Sequence, residues 1–576
     1  MTDTANQPCR TLVDVLAAQG LRDAVISPGS RNTPLIVALA ARDNIRKHVI
    51  PDERTAAFAA LGMALVAGKP VMLVCTSGTA LYNYAPAVAE ALYRKVPLIV
   101  VSADRPERWI DQDDSQTLRQ HGALANIVKR SFNIAATEGL SVPVKGSRFE
   151  NEQEWYVNRL ANEAWITAVS QSPGPVHVNI QLDNPLGRTA DIIPKQQRTV
   201  TVERPPVSIL PSYLRSLAER IVGRKVLVVA GFMNPDNAMS RAVDAFASLP
   251  NVAVCSEPLA NLHFHADNGN SVIDLVLAGA SAEVKERLRP DIVISVGGSL
   301  VSRMLKEFIR EYEPAELWTL GDTDAGVDCF QSLTTHFETS PVKFFKGLAN
   351  AASRLSGRLP GMELPAYAGM WKEIRGEAMS RLSVKTADAP WSDYTALMRL
   401  FGAMPSGCNL FLSNGTPVRY AGLAVGLPTH ACHCNRGVSG IEGGNATAAG
   451  AAMKYSGTTL LVSGDMSFGY CPQILGLDGL PDSFRIVVVN NSGGGIFRFI
   501  ATTRDLPQRE HYFCAPTCLP LDGLCKAYGW EYRRASDMQS LDTALAGFFS
   551  GTKKLLEIAT DPETSAQLLR SILPTP

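Results

Sequence analysis

The chain has no net charge: 55 lysines and arginines balance 55 aspartates and glutamates over 576 residues. That balance removes any whole-protein field that could draw in nucleic acid or an anionic membrane, so anion recognition has to be built locally. No apolar stretch approaches the roughly 20 residues needed to span a bilayer. The opening residues, Met1 to Gln7, lack the basic start and apolar core of a signal peptide, and none is expected. Cysteine is sparse for the length, with eleven residues. Most sit in apolar segments such as Val71-Met72-Leu73-Val74-Cys75, as reduced buried thiols do, and not in a disulfide framework. A cytoplasmic protein is expected. Short-period repeats and low-complexity tracts are also missing from the sequence.

What is present suits large cores: hydrophobic residues make up 46 % and charged residues 19 %. The length predicts roughly three or four domains. Over residues 1–188, Asp23–Ser27, Lys47–Ile50, Val71–Cys75 and Leu98–Ser102 read as buried strands. Pro34–Arg42, Arg54–Val66 and Ala80–Arg94 read as the helices between them, and Gly174–Ile180 as a closing strand. A proline-bearing linker, Arg204-Pro205-Pro206-Val207, precedes a second unit over 205–355. Its strands are Lys225–Gly231, Val252–Ser256, Asp291–Val296 and Glu316–Leu320. Gly297-Gly298-Ser299 is too short for a dinucleotide fingerprint. Residues 355 to 391 read as a mixed connector. A third unit, 390–576, carries strands at Asn409–Ser413, Leu460–Ser463, Ile486–Asn490 and Lys554–Ala559. Alternation of this kind implies parallel sheets with right-handed crossovers. The expected fold is therefore α/β, with three doubly wound parallel-sheet domains.

Two stretches carry chemistry. Gly464-Asp465-Met466-Ser467 and Asn490-Asn491 each follow a predicted strand, and ligands of such sheets sit outside the carboxyl ends of strands. Magnesium takes hard oxygen ligands, often one or two carboxylates beside phosphate oxygens. Asp465 offers a carboxylate, Asn491 an amide oxygen, and a backbone carbonyl at Gly493 a third donor. A single carboxylate leaves positive charge on the metal for a diphosphate, and Gly493, Gly494 and Gly495 let the backbone come close. The second stretch is Asp52-Glu53-Arg54, at the end of an apolar run. Each piece also has a plain structural reading. Gly-Asp after a strand is most often a turn, Asn-Asn-Ser-Gly-Gly-Gly a loop, and Glu53 a first-turn acid favoured by the helix dipole. Their combination carries the functional reading. His430-Ala431-Cys432-His433-Cys434 looks like a metal site. On a strand, however, His430 and Cys434 lie about 13 Å apart. No second Cys/His pair at a zinc-like spacing is nearby, so no structural metal is expected there.

The order of these motifs, a glutamate in the first domain and a metal motif in the third, resembles the thiamine diphosphate-dependent decarboxylase and carboligase superfamily. Within it, the chain resembles the branch that condenses 2-oxoglutarate with isochorismate in menaquinone biosynthesis. The shared motifs in the first domain are Ser27-Pro28-Gly29-Ser30-Arg31, Asp52-Glu53-Arg54, Thr76-Ser77-Gly78-Thr79-Ala80, Ser102-Ala103-Asp104-Arg105-Pro106 and Gln116-Thr117-Leu118-Arg119-Gln120. Those in the third are Asn435-Arg436-Gly437-Val438-Ser439-Gly440-Ile441 and Asn490-Asn491-Ser492-Gly493-Gly494-Gly495-Ile496-Phe497.

The resemblance implies a pyrimidine-binding domain over 1–188, a central Rossmann-like domain over 205–355 and a diphosphate-binding domain over 390–576. It implies that Glu53 activates the cofactor. Thr76, Ser77, Gly78, Ser439, Gly440, Ile441, Met466 and Ser467 would bind thiamine diphosphate, with Ile441 beneath it. Asp465, Asn491 and Gly493 would hold Mg2+ (or Mn2+) and, through it, the diphosphate. Both substrates are dianions, which arginine recognises through bidentate contacts. The matching positions are Arg31, Arg105, Arg303, Arg419 and Arg436, with Ser30 and Gln116 as hydrogen-bonding partners. Ile496 and Phe497 would line the apolar side. The family further implies a homodimer or homotetramer with active sites between subunits, and neither nucleic acid nor membrane as a partner.

The chain departs from the pattern in two places. Asn414-Gly415-Thr416-Pro417-Val418-Arg419 has glycine where relatives often carry serine, and Ser302 precedes Arg303 where some carry lysine. The competing readings are an acetolactate synthase, a simple 2-keto acid decarboxylase, or an inactive regulatory homologue. The first usually binds FAD in its central domain, for which no clear signature is present. The second has no need of so many arginines. The third would have lost Glu53, Asp465 or Asn491, and all three are present.

Overall fold

The computed structural model describes residues 2–136, 147–205, 207–263, 269–321, 325–356, 365–516 and 518–574. Three six-stranded sheets, parallel throughout, follow one another along the chain. The first is built from Asp23–Ile26, Arg46–Val49, Val71–Cys75, Leu98–Asp104, Ser131–Ile134 and Val176–Gln181. The second is built from Val226–Ala230, Val252–Ser256, Gly269–Asn270, Ile292–Val296, Glu316–Leu320 and Leu333–Phe337. The third is built from Cys408–Leu412, Thr429–His433, Thr459–Gly464, Phe484–Asn490, Glu531–Ala535 and Lys554–Ala559. With strands counted in chain order within each sheet, the first and third are both ordered 2-1-3-4-6-5, and the second 3-2-1-4-5-6. A short antiparallel pair, Thr2–Thr4 with Thr189–Asp191, stands apart. Among the described residues no helix is long and apolar enough to cross a membrane.

Central strands are continuous runs of Val, Ile and Leu because both of their faces are covered. Val71–Cys75 and Leu98–Asp104 are buried at every position. The second strand differs from its expectation as a buried one: Arg46 and Val49 are exposed. It is an edge, paired only with Asp23–Ile26, and charge at an edge discourages further pairing. The expected helix Ala80–Arg94 is two helices, Ala80–Asn83 and Ala85–Arg94. Pro86 cannot donate a backbone hydrogen bond, and the break falls at Tyr84, whose buried hydroxyl donates to Val74 O at 3.0 Å. The expected connector holds a 20-residue helix, Tyr367–Thr386. Tyr367, Trp371, Ile374, Ala378 and Leu382 form its buried stripe and join the core cluster shared by residues of the second and third sheets.

The chain gathers into two compact units. The first holds the chain up to Arg204 with Gly437–Ser456 and Tyr470–Pro481. The second holds Pro205–Arg436, Gly457–Gly469 and the chain from Asp482 onward. Two pieces of the third sequence stretch therefore pack with the first sheet. Glycine explains the attachment. In the first unit, helix Gly444–Ala452 lies against helix Glu53–Ala67, and a Cβ on Gly62 would overlap Thr447 O. A Cβ on Gly450 would likewise overlap Ala59 O. A buried ion pair, Lys454 Nζ to Asp23 Oδ2 at 2.6 Å, reinforces the contact.

In the second sheet the switch point falls between its first and fourth strands, where this strand order ordinarily opens a dinucleotide crevice. Here it is stapled shut. Gly298 N–H donates to Phe232 O at 2.9 Å, and Gly231 N–H to Val296 O at 2.9 Å. The Phe232 ring fills the space where a Cβ on Gly298 would stand.

Candidate active site

In the second unit, Asp465 follows strand Thr459–Gly464 and Asn491 follows its neighbour Phe484–Asn490. Gly493 N–H donates to Asp465 Oδ2 at 2.7 Å, and Met466 N–H to Asp465 Oδ1 at 2.7 Å. Burial pushes the Asp465 carboxyl up to about 6, while those two amides pull it back. A cation there would favour the charged form. Asn491 is buried, and its Nδ2 donates to Asp393 Oδ2 at 2.7 Å. The amide oxygen is thereby turned away from Asp393. Asp393 is anchored in turn by the hydroxyls of Thr560 at 2.5 Å and Ser565 at 3.3 Å. Arg498 braces the same loop from its carbonyl side, donating to Asn491 O and Ser492 O at 3.5 Å each while paired with Glu510 at 2.7 Å. Gly493 needs to be glycine: its φ is 109°, and a Cβ would overlap Cys514 O. Its carbonyl accepts from Gly495 N–H at 2.9 Å, which uses one of two lone pairs. One carboxylate, one oriented amide oxygen and a close-lying backbone form a donor set that fits a magnesium-bound diphosphate. Met466 is partly buried and Ser467 buried at the start of the next helix. Ile496 and Phe497 are half-buried on the turn that follows, with the Phe497 ring 5.8 Å from Phe513.

Two of the predicted arginines meet in this unit. Arg419 sits on the short helix Thr416–Ala421 and donates to Gly415 O. Arg436 donates to Asn414 Oδ1 at 3.1 Å and Leu300 O at 3.3 Å. Burial, and then the nearby Arg436, weakens Arg419's hold on its proton, while Asp274 and Glu257 act the other way. Gly415 has φ 101°, a conformation side chains rarely adopt, which accounts for glycine in place of serine. Glu257 accepts Val301 N–H at 2.8 Å and Ser302 N–H at 2.6 Å, and burial pushes its carboxyl up to about 7. Ser302 donates its hydroxyl to Asp274 and caps helix Arg303–Glu311. Serine at that position thus has a local role that lysine could not fill. Arg303 is not brought to the pair: its side chain is 84 % exposed and ion-paired with Glu307 at 2.5 Å. Within the Cys/His run, Cys432 and Asn261 exchange two hydrogen bonds, and the Cys434 thiol donates to Asn414 Oδ1 at 3.2 Å.

In the first unit, Glu53 opens helix Glu53–Ala67. Asp52 is the cap and accepts Thr55 N–H at 2.9 Å. Glu53 is half-buried, and its charge helps to raise the Cys75 thiol and the Tyr84 phenol, both pushed up chiefly by burial. The acid thus lies near Cys75, the last residue of strand Val71–Cys75, after which Thr76, Ser77 and Gly78 begin. Arg31 is buried beside them, its N–H reaching Thr76 Oγ1 at 3.3 Å and its Nη1 donating to Leu182 O at 3.1 Å. Arg105 is Arg31's cationic neighbour and is paired with Asp114 at 2.6 Å. Gln116 has φ 55° and its backbone lies against Gly78. Ser30 is exposed, its carbonyl accepting from Thr33. Ser439 (φ 62°), Gly440 and Ile441 also lie in this unit, on the loop before helix Gly444–Ala452.

Several residues of these networks were not singled out in the sequence: Asp393, Arg498, Glu257, Asp274 and Gln120. Gln120 accepts Gly78 N–H at 2.7 Å and stood inside a quoted motif. Asp393 reads as an ordinary helix-start acid after Ser392, and nothing local ties it to Asn491 almost a hundred positions away.

Residues 9–124 match the family described as thiamine pyrophosphate enzyme, N-terminal TPP binding domain. Over almost its whole length the chain is similar to named synthases. It is 39 % identical to the 2-succinyl-5-enolpyruvyl-6-hydroxy-3-cyclohexene-1-carboxylate synthase of Porphyromonas gingivalis, across 97 % of this chain and 95 % of that protein. It is 34 % identical to the synthase of the same name from Flavobacterium johnsoniae, across 96 % and 95 %. The Desulfotalea psychrophila synthase is also 34 % identical, across 97 % and 99 %. Fold and matches together define a thiamine diphosphate enzyme. More narrowly, the chain belongs to the 2-succinyl-5-enolpyruvyl-6-hydroxy-3-cyclohexene-1-carboxylate synthase family.

Proposed function

We propose that the chain catalyses the decarboxylating condensation of 2-oxoglutarate with isochorismate to 2-succinyl-5-enolpyruvyl-6-hydroxy-3-cyclohexene-1-carboxylate, with release of CO2, in menaquinone biosynthesis. The observation that carries this reading is end-to-end similarity to synthases of that product. Bound thiamine diphosphate supplies carbanion-stabilising chemistry.

The chain's own residues supply the rest. Asp465, Asn491 and the Gly493 carbonyl would hold Mg2+, with Mn2+ an acceptable substitute for the same oxygen set. Glu53 is the acid that would hold a proton at the cofactor's aminopyrimidine ring. Ser439, Gly440, Ile441 and the Thr76–Gly78 loop position the cofactor. Two adjacent arginine pairs, Arg31 with Arg105 and Arg419 with Arg436, support the reading. Carboxylates of the chain already lie near each pair, Asp114 by Arg105 and Asp274 and Glu257 by Arg419, and paired guanidinium groups suit substrates that each bring two carboxylates. Ser30 and Gln116 complete the polar contacts, Arg303 standing exposed and paired with Glu307 away from the Arg419 pair, and Ile496 and Phe497 cover the apolar part of the substrate.

The three sequence stretches act as pyrimidine-binding, central and diphosphate-binding domains. The working enzyme is a cytoplasmic homodimer or homotetramer with active sites shared between subunits. A flavin-dependent acetolactate synthase is disfavoured by the stapled crevice at Gly298 and Phe232. The test is to incubate the protein with magnesium, thiamine diphosphate, 2-oxoglutarate and isochorismate and to identify the product by mass. The condensation product is expected. Formation of acetolactate from pyruvate, or of an aldehyde from 2-oxoglutarate with isochorismate untouched, would overturn the reading.

A further inference from the structure

Glu90 lies on helix Ala85–Arg94 and is 1 % exposed. A carboxylate so fully buried needs partners. Its two oxygens accept from consecutive backbone amides: Gly437 N–H to Oε1 at 2.8 Å and Val438 N–H to Oε2 at 2.7 Å. Successive amides converging on one anion form a backbone nest. Bonds to an ionised acceptor are also shorter and stronger than neutral ones. The fit is tight. A Cβ on Gly437 would stand 2.8 Å from Glu90 O and 3.0 Å from Oε2, so only glycine suits the position.

Directly beyond these amides come Ser439, Gly440 and Ile441. Past them Gly443 lies against Phe58, whose ring a Cβ would overlap, and helix Gly444–Ala452 then locks onto Glu53–Ala67. The loop is strung between fixed points of the first unit. One is the close-packed helix pair, and another is the side chain of Glu90, which holds the Gly437 and Val438 amides.

We propose that Glu90 is a positioning residue for thiamine diphosphate: it sets the backbone from which Ser439, Gly440 and Ile441 meet the cofactor, without touching cofactor or substrate itself. This rests on the assignment of those three residues to the cofactor. Glu90→Gln keeps the shape but turns an NH2 group toward one of the two amides, so one charge-assisted bond is lost and the other weakened. Thiamine diphosphate Kd at saturating magnesium is expected to rise about tenfold or more. With cofactor saturating, kcat and the KM of both acids are expected to stay near wild type. A purely structural role would lower Tm and leave that Kd unmoved.

Calorimetric titration of Glu90→Gln beside Ile441→Ala separates the outcomes. If both weaken cofactor binding, the proposal holds. If Ile441→Ala weakens it and Glu90→Gln binds as wild type, the clamp is refuted. If Ile441→Ala binds as wild type, the loop assignment falls, and the proposal with it. Hydrogen exchange on the wild-type apoprotein reads the clamp even if the Glu90 variants do not fold. Slow exchange at the Gly437 and Val438 amides is expected, and exchange at the rate of an open loop would overturn the proposal.

Discussion

The first and third sheets share one strand order, yet the roles proposed for equivalent positions differ at every strand end but the first, where both carry an arginine. After strand one come Ser30 and Arg31 in the first sheet, and Asn414 and Arg419 in the third. After strand two come Glu53 and its helix in the first, and Ser439–Ile441 and the helix Gly444–Ala452 in the third. Strand three leads to Thr76–Gly78 in one and Asp465–Ser467 in the other; strand four leads to Arg105 and to Asn491–Gly493. The two helices that follow second strands are the pair that pack through Gly62 and Gly450. The second sheet, ordered differently, has its crevice closed by its own backbone. On the proposed assignment, one scaffold carries an acid and cations at four strand ends in the first sheet, and a cation, a carboxylate and an amide at the same four in the third, because loops and not the sheet decide the chemistry.

Substitutions at matched strand ends can break this comparison. The largest effect is expected at Glu53. Glu53→Gln keeps the side-chain shape without the proton, and should lower turnover by about 10² to 10⁴ with thiamine diphosphate still bound. Single-turnover kinetics with cofactor titration checks both halves. Next comes Arg419→Ala, which would leave a substrate carboxylate, and the nearby Asp274 and Glu257, short of a cation. It should cost about 2 to 5 kcal/mol in kcat/KM for one dianionic substrate, with cofactor affinity unchanged. Arg303→Ala should cost less in kcat/KM, since its side chain is 84 % exposed and already paired with Glu307 away from the Arg419 pair. Asp393→Asn leaves the Asn491 amide without its anchoring carboxylate and should weaken magnesium-dependent cofactor binding by about 10- to 100-fold. Calorimetry at fixed magnesium measures that. Gly450→Val forces side-chain atoms into the Ala59 backbone and should lose about 1 to 3 kcal/mol of stability in a denaturant melt.

The strands were legible because buried parallel strands are mostly apolar: Val71–Cys75 and Val252–Ser256 stand where their composition put them, as do Glu316–Leu320 and Lys554–Ala559, whose Leu, Trp and Ile outweigh the interspersed Glu, Thr and Lys. Strands with mixed composition were not. Ser131–Ile134, Leu333–Phe337 and Glu531–Ala535 carry Ser, Thr, Asn or Arg and lie at or near sheet edges, where burial no longer dictates sequence. The helix Tyr367–Thr386 was missed although its buried residues recur at helical spacing, because Gly369, Gly376 and many charges dilute the stripe. For the site, Asp465 and Asn491 could be placed at strand ends from local pattern alone. The groups that orient them could not. Asp393 meets Asn491, and Thr560 and Ser565 meet Asp393, only through the fold, and Glu90 meets Gly437 across 347 positions of chain.

The central claim is that the metal and diphosphate belong to the strand ends of the third sheet, and the proton-transfer acid to those of the first. Titrating thiamine diphosphate into Asp465→Ala and Glu53→Gln at several magnesium concentrations tests it most directly. The expected result is a clean split. Asp465→Ala stays folded but binds cofactor far more weakly, with part of the loss recovered at high magnesium, while Glu53→Gln keeps near wild-type, magnesium-dependent affinity. Unchanged affinity in Asp465→Ala, or wild-type binding indifferent to magnesium, would mean that Asp465 closes a turn and holds no metal, and the division of labour between the two sheets would fall.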